Sequence, residues 1–284
     1  MDLKTISQEI RDIIANRQKE IKLTFVEEKH IYYMLDEKGK VRTNFPSVSK
    51  LVKKFHEPFD ANAKALQMSN GDVEGQKKLL AEWKAAGDYS TNMGSRVHYL
   101  LESDLVDQYG KYKEVRQPIF TVDDVQIEKS NRMVQAGKNF LDLMHERGAV
   151  LIDTEMVLGD PILGYTGQPD KGWLMMNREQ TDIGLVVTDW KSNQPKNFVP
   201  QWYNKYLHPP LNKHRDYALS HYWVQLPLYA RLIIEMLKGS KYENLKLLGC
   251  VVVLLKEDGT FEEFRVPPDI NQTILTMDIT KYTK

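Results

Sequence analysis

Residues 167–191 read GQPDKGWLMMNREQTDIGLVVTDWK, and this stretch decides the fold. It contains two largely apolar runs, 168–176 and 183–191, of the kind that form strands. The polar residues 177–181 separate these runs and suit a hairpin turn. We therefore predict two neighbouring strands joined by a short hairpin.

The charged residues of interest on these strands are Asp170, Asp189 and Lys191. Side chains alternate along a strand, so Asp189 and Lys191 project from the same face. The hairpin can bring Asp170 beside Asp189, and two such carboxylates form a hard oxygen site for Mg²⁺ or Mn²⁺. The Lys191 ammonium can then polarise a water or stabilise charge on a phosphate. Taken alone, Asp-x-Lys is a weak signal, because surface strands often alternate charges.

The segments on either side extend these strands to an α/β core. The patterns predict helices over 3–20, 92–109, 124–147 and 216–238, and strands over 149–158, 246–255 and 260–266. The order helix, three strands, helix, strand is typical of an α/β fold with a mixed sheet flanked by helices. We therefore predict a core over 91–284 and an N-terminal elaboration over 1–90.

The N-terminal elaboration combines a helix, a hairpin and a polar segment. Residues 22–45 alternate in polarity around a turn signal, which predicts a β-hairpin. Ser47 or Ser49 can cap a helix that runs to about residue 56. Residues 58–90 are polar and are interrupted by glycines, which predicts several short helices; the glycines are Gly71, Gly75 and Gly87.

Composition limits the classes of protein that this chain can be. Lys and Arg number 39, as do Asp and Glu, so a polyanionic partner requires a locally positive groove. Cys250 is the single cysteine, which excludes an internal disulfide and a cysteine-ligated iron–sulfur cluster. The apolar runs are shorter than the roughly 18 residues of a membrane span, and acids in the first helix argue against a targeting segment.

Two further pairs of polar residues have helical spacing. His98 and Glu102 lie four residues apart on one predicted helix, and Gln225 and Tyr229 lie four apart on another. A lone histidine on an apolar helix is more often a core residue than a ligand, and Gln-x-x-x-Tyr is common by chance. Each pair is uninformative alone, so their order along the chain carries the information.

That order resembles the PD-(D/E)XK nuclease superfamily in its RecB-like branch. Within this branch the chain resembles the mitochondrial genome maintenance exonuclease and related phage exonucleases. The resemblance covers residues 44–265 and is carried by these matches: Pro46-Ser47-Val48-Ser49, Gly94-x-x-x-His98-x-x-x-Glu102, Glu155, Gly167-x-x-Asp170, Asp189-x-Lys191 and Gln225-x-x-x-Tyr229. It implies a restriction-endonuclease-like core.

The resemblance also implies roles for individual residues. His98, Asp170 and Asp189 would bind the metal together with the Trp190 carbonyl, and Lys191 would be the catalytic lysine. Glu155 would lie near the metal, directly or through water. Gln225 and Tyr229 would contact the substrate backbone or orient the metal ligands. The remaining residues that we expect to contact substrate are Ser47, Arg96 and Ser192, although Arg96 can equally pair with Glu102 or another acid.

Departures from the family pattern are modest. Ser49 replaces the usual threonine, and residues 197–216 form a longer insertion than the family leads us to expect. Cations and aromatic rings alternate around Lys191, Trp202 and Tyr206, a combination that suits single-stranded nucleic acid. Trp202 can instead pack beneath a loop. The family also suggests that residues 58–90 form an arch over a strand end.

We expect a deoxyribonuclease dependent on Mg²⁺ or Mn²⁺, without an iron–sulfur cluster, that hydrolyses single-stranded or frayed DNA ends exonucleolytically. The expected setting is recombination, repair or replication in the cytoplasm of a bacterial or phage-infected cell, where a recombination or single-strand-binding protein is a possible partner and a membrane is not. Three alternatives stay open: a structure-specific endonuclease with the same core, a catalytically inactive DNA-binding protein, and a structural protein whose charges are ordinary strand ends.

Overall fold

The computed structural model describes residues 2–26, 29, 31–109, 115, 117–200 and 204–283, without the side chains of 106–109. Its helices are α1 (Leu3–Glu20), α2 (Val48–Val52), α3 (Ala61–Met68), α4 (Val73–Tyr109), α5 (Asp124–Glu146), α6 (Ala218–Met236), α7 (Pro268–Thr276) and α8 (Thr280–Thr283). Its strands are β1 (Thr24–Val26), β2 (Ile31–Leu35), β3 (Val41–Arg42), β4 (Val150–Thr154), β5 (Leu158–Asp160), β6 (Tyr165–Gly167), β7 (Lys171–Met176), β8 (Ile183–Lys191), β9 (Lys246–Leu255) and β10 (Phe261–Arg265). A short 3-10 helix spans Pro195–Phe198.

The centre of the molecule is a five-stranded mixed sheet in the order β10-β9-β8-β7-β4. β8 and β9 are parallel and are connected through α6, whereas the other neighbours are antiparallel. Smaller sheets are formed by β1-β2-β3 and by β5-β6. The α/β class with a mixed sheet flanked by helices is therefore confirmed.

Helices cover both faces of the sheet, which explains why β8 is apolar at nearly every position. Leu185 and Val187 belong to a core cluster shared with α1 and α6. Val186 and Trp190 point the other way, into a second cluster shared with α4 and α5. A strand buried on both faces reads as a continuous apolar run rather than as an alternation. The predicted strand over 183–191 is confirmed.

Two predictions about the secondary structure were wrong. The segment 149–158 is not one strand: β4 ends at Thr154, and β5 begins at Leu158. The helices expected within 58–90 are α3 and the first half of α4, which continues without interruption to Tyr109. Glycine inside a helix costs only about 1 kcal/mol, and packing of α4 against α3 and α5 outweighs that cost. The proposed boundary at residue 90 falls inside α4.

The N-terminal segments pack on the core and continue it. Ile6 and Ile10 of α1 are buried in the cluster that includes α6. The predicted hairpin is present as β2 and β3, and β1 pairs with β2 as a third strand. Ser47 caps α2, which ends at Val52 rather than near residue 56. In the part of the chain that the structure describes, no helix has the length and apolar character needed to cross a membrane.

Candidate metal centre at the edge of the sheet

A histidine and two carboxylates meet where β4 ends and β7 begins. His98 lies on α4, Glu155 follows β4, and Asp170 precedes β7. His98 Nδ1 is 3.5 Å from Asp170 Oδ1 and 3.7 Å from Glu155 Oε1. One donor atom from each residue lies within 4.8 Å of the other two, so the three side chains can share one cation.

Asp170 is held in place by the neighbouring strand. Its carboxylate is buried, and Oδ2 accepts a hydrogen bond of 2.5 Å from the backbone N–H of Trp190 in β8. The other oxygen, Oδ1, is thereby directed toward His98. Burial alone would raise the pKa of this carboxyl, but the positive charges of His98, Lys171 and Lys191 hold it well below its ordinary value. Asp170 is therefore an ionised carboxylate with a fixed orientation.

Glu155 has a backbone conformation that is unusual for its residue type. Its φ of 47° lies in the left-handed region, where residues other than glycine are uncommon and strained. Its N–H donates to the Asp170 carbonyl at 2.9 Å, so the turn is tied to the start of β7. Burial and the Asp170 charge raise the pKa of Glu155 to about 7, although His98 opposes that rise. A strained, partly buried acid at this position fits a ligand role better than a packing role.

His98 balances the two acids in the metal-free protein. Burial would lower its pKa, but Asp170 and Glu155 outweigh burial and raise it to about 10. A proton on this imidazole therefore occupies the place that a cation would take. The donor set of one imidazole and two carboxylates suits a hard or borderline divalent cation such as Mg²⁺ or Mn²⁺. The residues present thus fit the metal that the sequence suggests.

Asp189 and Lys191 form an ion pair beside this cluster. They project from the same face of β8, and the Lys191 ammonium contacts Asp189 Oδ2. Lys191 Nζ also lies 4.5 Å from the centre of the Tyr222 ring. Burial and the Asp170 charge raise the pKa of Asp189. Burial disfavours the Lys191 cation, but Asp189 and Asp170 raise its pKa, so the lysine stays protonated.

The structure groups the expected metal ligands differently from the sequence prediction. Glu155 rather than Asp189 completes the cluster of mutually close donor atoms with His98. The Asp189 carboxylate forms an ion pair with Lys191. The same carboxyl group also interacts electrostatically with Asp170. The roles expected of Asp189 and of the Trp190 carbonyl remain predictions. Both residues are on β8, at the same end of the sheet as the cluster.

Two glycines of the sequence motifs, Gly94 and Gly167, lie where any larger side chain would crowd a neighbouring residue. A Cβ on Gly94 would lie 3.0 Å from Ser192 Oγ, so a glycine here lets α4 pass closely beside the end of β8. A Cβ on Gly167 would lie 2.7 Å from Tyr229 Cε1. Tyr229 also accepts a hydrogen bond of 2.8 Å from Gln225 Nε2. These glycines bring motif residues from distant parts of the chain together.

Two of the residues expected to contact substrate have internal partners. Arg96 donates to Ser130 Oγ of α5 at 2.6 Å, so the predicted alternative of pairing with Glu102 is not what is seen. The Ser47 hydroxyl accepts from Lys50 N–H at 3.4 Å as the cap of α2. Trp202 lies outside the described residues. Substrate contact by Ser47, Arg96 and Ser192 remains a prediction.

Sequence reasoning missed the buried lysine next to Asp170. Lys171 is 2% exposed, and its ammonium lies 4.2 Å from the centre of the Trp190 ring. Burial lowers its pKa, while the surrounding acids, Asp170 first among them, oppose that effect. A lysine inside an otherwise apolar strand was the available signal, because lysine is almost never buried without a compensating charge. Lys171 therefore brings a buried amine, whose pKa burial lowers, into electrostatic contact with Asp170.

No family model matches the chain, and no curated protein matches it significantly.

Proposed function

We propose that this protein is a metal-dependent deoxyribonuclease of the PD-(D/E)XK type. The observation that carries the proposal is the convergence of His98, Glu155 and Asp170 beside the Asp189–Lys191 pair. A divalent cation next to a positively charged side chain suits phosphodiester hydrolysis, and this end of the sheet offers candidate ligands for such a cation beside Lys191. The β7–β8 hairpin and the parallel β8-α6-β9 crossover support a restriction-endonuclease-like core.

His98, Glu155 and Asp170 would hold the cation, with Asp189 and the Trp190 carbonyl available to complete its coordination. When bound, Mg²⁺ or Mn²⁺ neutralises phosphate charge and lowers the pKa of an attacking water. The Trp190 N–H keeps Asp170 in the orientation that this role requires. Asp170 is therefore preorganised by β8, which also carries the lysine.

Lys191 acts as a cation in this proposal and not as a base. Its raised pKa keeps Nζ protonated, so Nζ can donate hydrogen bonds to a phosphate oxygen that gains charge in the transition state. Asp189 and the Tyr222 ring hold the ammonium in position. Gln225, which is partly buried, would contact the DNA backbone, and the buried Tyr229 would hold the Gln225 side chain in position.

The test is metal-dependent digestion of DNA by the wild type and by Lys191→Ala. Single-stranded DNA labelled at either end is incubated with Mg²⁺, Mn²⁺ or EDTA, and the products are separated by length. We expect shortening in Mg²⁺ or Mn²⁺ but not in EDTA, and a loss of at least about 100-fold in Lys191→Ala. Lys19→Ala, which changes an exposed lysine of α1, is the matched control and should retain activity.

Two substrates separate the exonuclease from the endonuclease. Ladders from the two end labels report the direction of digestion, whereas cleavage of a circular single strand would favour the endonuclease. Intact linear, duplex and overhanging DNA in both metals would contradict catalysis. Retained DNA binding in that case would favour the inactive DNA-binding alternative. A role in recombination, repair or replication of phage or bacterial DNA follows from the family resemblance and rests on the same test.

A further inference from the structure

A second group of metal-ligating side chains lies at the start of α6, away from the cluster at the sheet edge. His56 follows α2, Asp216 precedes α6, and His221 is in the first turns of α6. One donor atom from each lies within 4.8 Å of the other two. All three residues are partly buried, so a bound ion could exchange with solvent.

The imidazole rings of His56 and His221 lie directly against each other. Their rings stack with centres 3.8 Å apart and planes inclined by 16°. His221 Nε2 lies 2.6 Å from Asp216 Oδ1, a hydrogen bond in which the imidazole donates. Ligands at about 2.0–2.2 Å from a tetrahedral ion lie about 3.3 Å from one another. To bind one ion, Asp216 and His221 must therefore separate slightly from their 2.6 Å hydrogen bond, and the stacked rings must turn so that their nitrogens converge.

The hydrogen bond of His56 leaves its outer nitrogen available. His56 Nδ1 lies 2.9 Å from the Glu57 carbonyl, which can only accept, so Nδ1 carries the proton. The lone pair of a neutral ring is then on Nε2. A histidine that donates one ring N–H to a backbone carbonyl and binds a metal through the other nitrogen is the usual arrangement in metal sites.

Backbone hydrogen bonds hold the two loops in register. His208 N–H donates to the Phe55 carbonyl at 2.7 Å, which ties the loop before α6 to the residue before His56. Asp216 N–H donates to the Lys205 carbonyl at 2.9 Å. The ligands are thus placed by the fold, independently of any ion.

We propose that His56, Asp216 and His221 form a second metal site, selective for a first-row transition metal such as Zn²⁺ over Mg²⁺. Two imidazoles and one carboxylate are donors that Zn²⁺ prefers, whereas Mg²⁺ favours sites in which oxygen ligands predominate. The ion cross-links the end of α2 to the start of α6. His221 lies one helical turn before Gln225, so this cross-link also fixes the face of α6 that borders the candidate active site. The site stands independently of the proposed nuclease activity.

The experiment is a titration with Zn²⁺ of the full-length chain carrying His98→Ala and Asp170→Ala, which removes the first cluster. We expect one equivalent to bind by calorimetry, with a rise in Tm, and Mg²⁺ not to compete. Adding His56→Ala should weaken binding by at least about tenfold, because even indirect metal contacts contribute that much. Visible absorption of bound Co²⁺ provides a second readout that does not depend on activity.

The matched control is His214→Ala in the same background. His214 pairs with Asp269 at 2.8 Å in a similar way but belongs to neither described group of three ligands, so its loss should leave Zn²⁺ affinity unchanged. Asp216→Asn, checked for folding without metal, serves if His56→Ala does not fold. The absence of Zn²⁺ binding, or equal loss in His56→Ala and His214→Ala, would overturn the proposal. Either outcome leaves the DNA digestion test unaffected.

Discussion

Protons would compete with the proposed cation for the same residues at the edge of the sheet. Glu155 and His98 each bind a proton more tightly than usual, with pKa values of about 7 and about 10. The cause is the crowding of Glu155 and Asp170 around one imidazole within a partly buried site. A divalent cation would replace those protons. The residue-scale consequence is a stability that depends on pH and on metal.

The first prediction concerns unfolding in EDTA between pH 5 and pH 9. Glu155 has an ordinary pKa of 4.5, so its bound proton stabilises the fold at low pH, and that contribution is lost as the pH rises toward 7. The proton bound to His98 also stabilises the fold. This contribution is complete below pH 6.5, the ordinary pKa of histidine, and is lost as the pH rises toward 10. The lowered pKa of Asp170 has the opposite effect on stability. That effect is felt only at pH values below the ordinary pKa of 3.8, which lie outside this range. Glu155 and His98 therefore lower the free energy of unfolding from pH 5 to pH 9, whereas Lys171 and His221, whose pKa values are lowered, act in the opposite sense.

Urea denaturation measures this free energy in the wild type and in Glu155→Gln and His98→Asn. Glu155→Gln should remove the decline in unfolding free energy that occurs as the pH rises toward 7. His98→Asn should remove the decline that occurs at higher pH. A stability difference between the wild type and either variant that stays constant from pH 5 to pH 9 would contradict the assignment. Saturating Mg²⁺ should flatten the decline, because the cation takes the place of the protons.

At the scale of elements, the site depends on how closely α4 and α5 approach. Gly137 of α5 faces Leu101 of α4, and a Cβ at position 137 would lie 2.6 Å from Leu101 Cδ1. Leu101 is fully buried and has little space to move. His98 is one turn away on the same helix. The spacing of the two helices therefore sets how far His98 reaches over the sheet edge.

Gly137→Ala should destabilise the protein by about 1–3 kcal/mol, because the added methyl overpacks the interface between the helices. Gly87→Ala is the matched control: Gly87 is exposed inside α4, and no atom lies within 4 Å of a Cβ placed there. Replacing a helical glycine by alanine should stabilise by about 0.5–1 kcal/mol. Chemical denaturation of both variants measures the effects. Destabilisation by Gly87→Ala would contradict a continuous α4.

For the whole molecule, the N-terminal helix is an integral part of the core. The isoleucines of α1 belong to the cluster that contains Val187 of β8 and Ile233 of α6. Ser7 donates to the Leu151 carbonyl at 2.5 Å, which attaches α1 to β4. The two faces of the sheet are therefore covered by helices that are distant in sequence.

Ile10→Ala should cost about 2–5 kcal/mol of unfolding free energy, since Ile10 is fully buried and its loss leaves a cavity. Lys19→Ala, on the exposed side of α1, should change stability by less than about 0.5 kcal/mol. Thermal and urea denaturation compare the two variants. If Ile10→Ala behaves like Lys19→Ala, α1 contributes no core packing in solution.

Local patterns in the sequence were sufficient to predict the strands and helices that depend on interactions between residues close in the chain. The strand over 183–191 and the shared face of Asp189 and Lys191 follow from apolar length and from the two-residue period of a strand. The mixed α/β class follows from the order of such elements. The glycines suggested breaks in 58–90, but that inference weighed propensity alone, and packing outweighs a cost of about 1 kcal/mol per glycine.

Only the tertiary structure decided which charged side chains meet. Glu155 reaches His98 because the chain turns through a left-handed residue after β4, and no pattern in the sequence marks a glutamate for that conformation. Burial of Lys171 and the meeting of His56 with His221 depend on contacts between segments far apart in the chain. A sequence period reports which face a residue occupies, whereas distances of 3–4 Å between elements depend on how whole helices and strands pack.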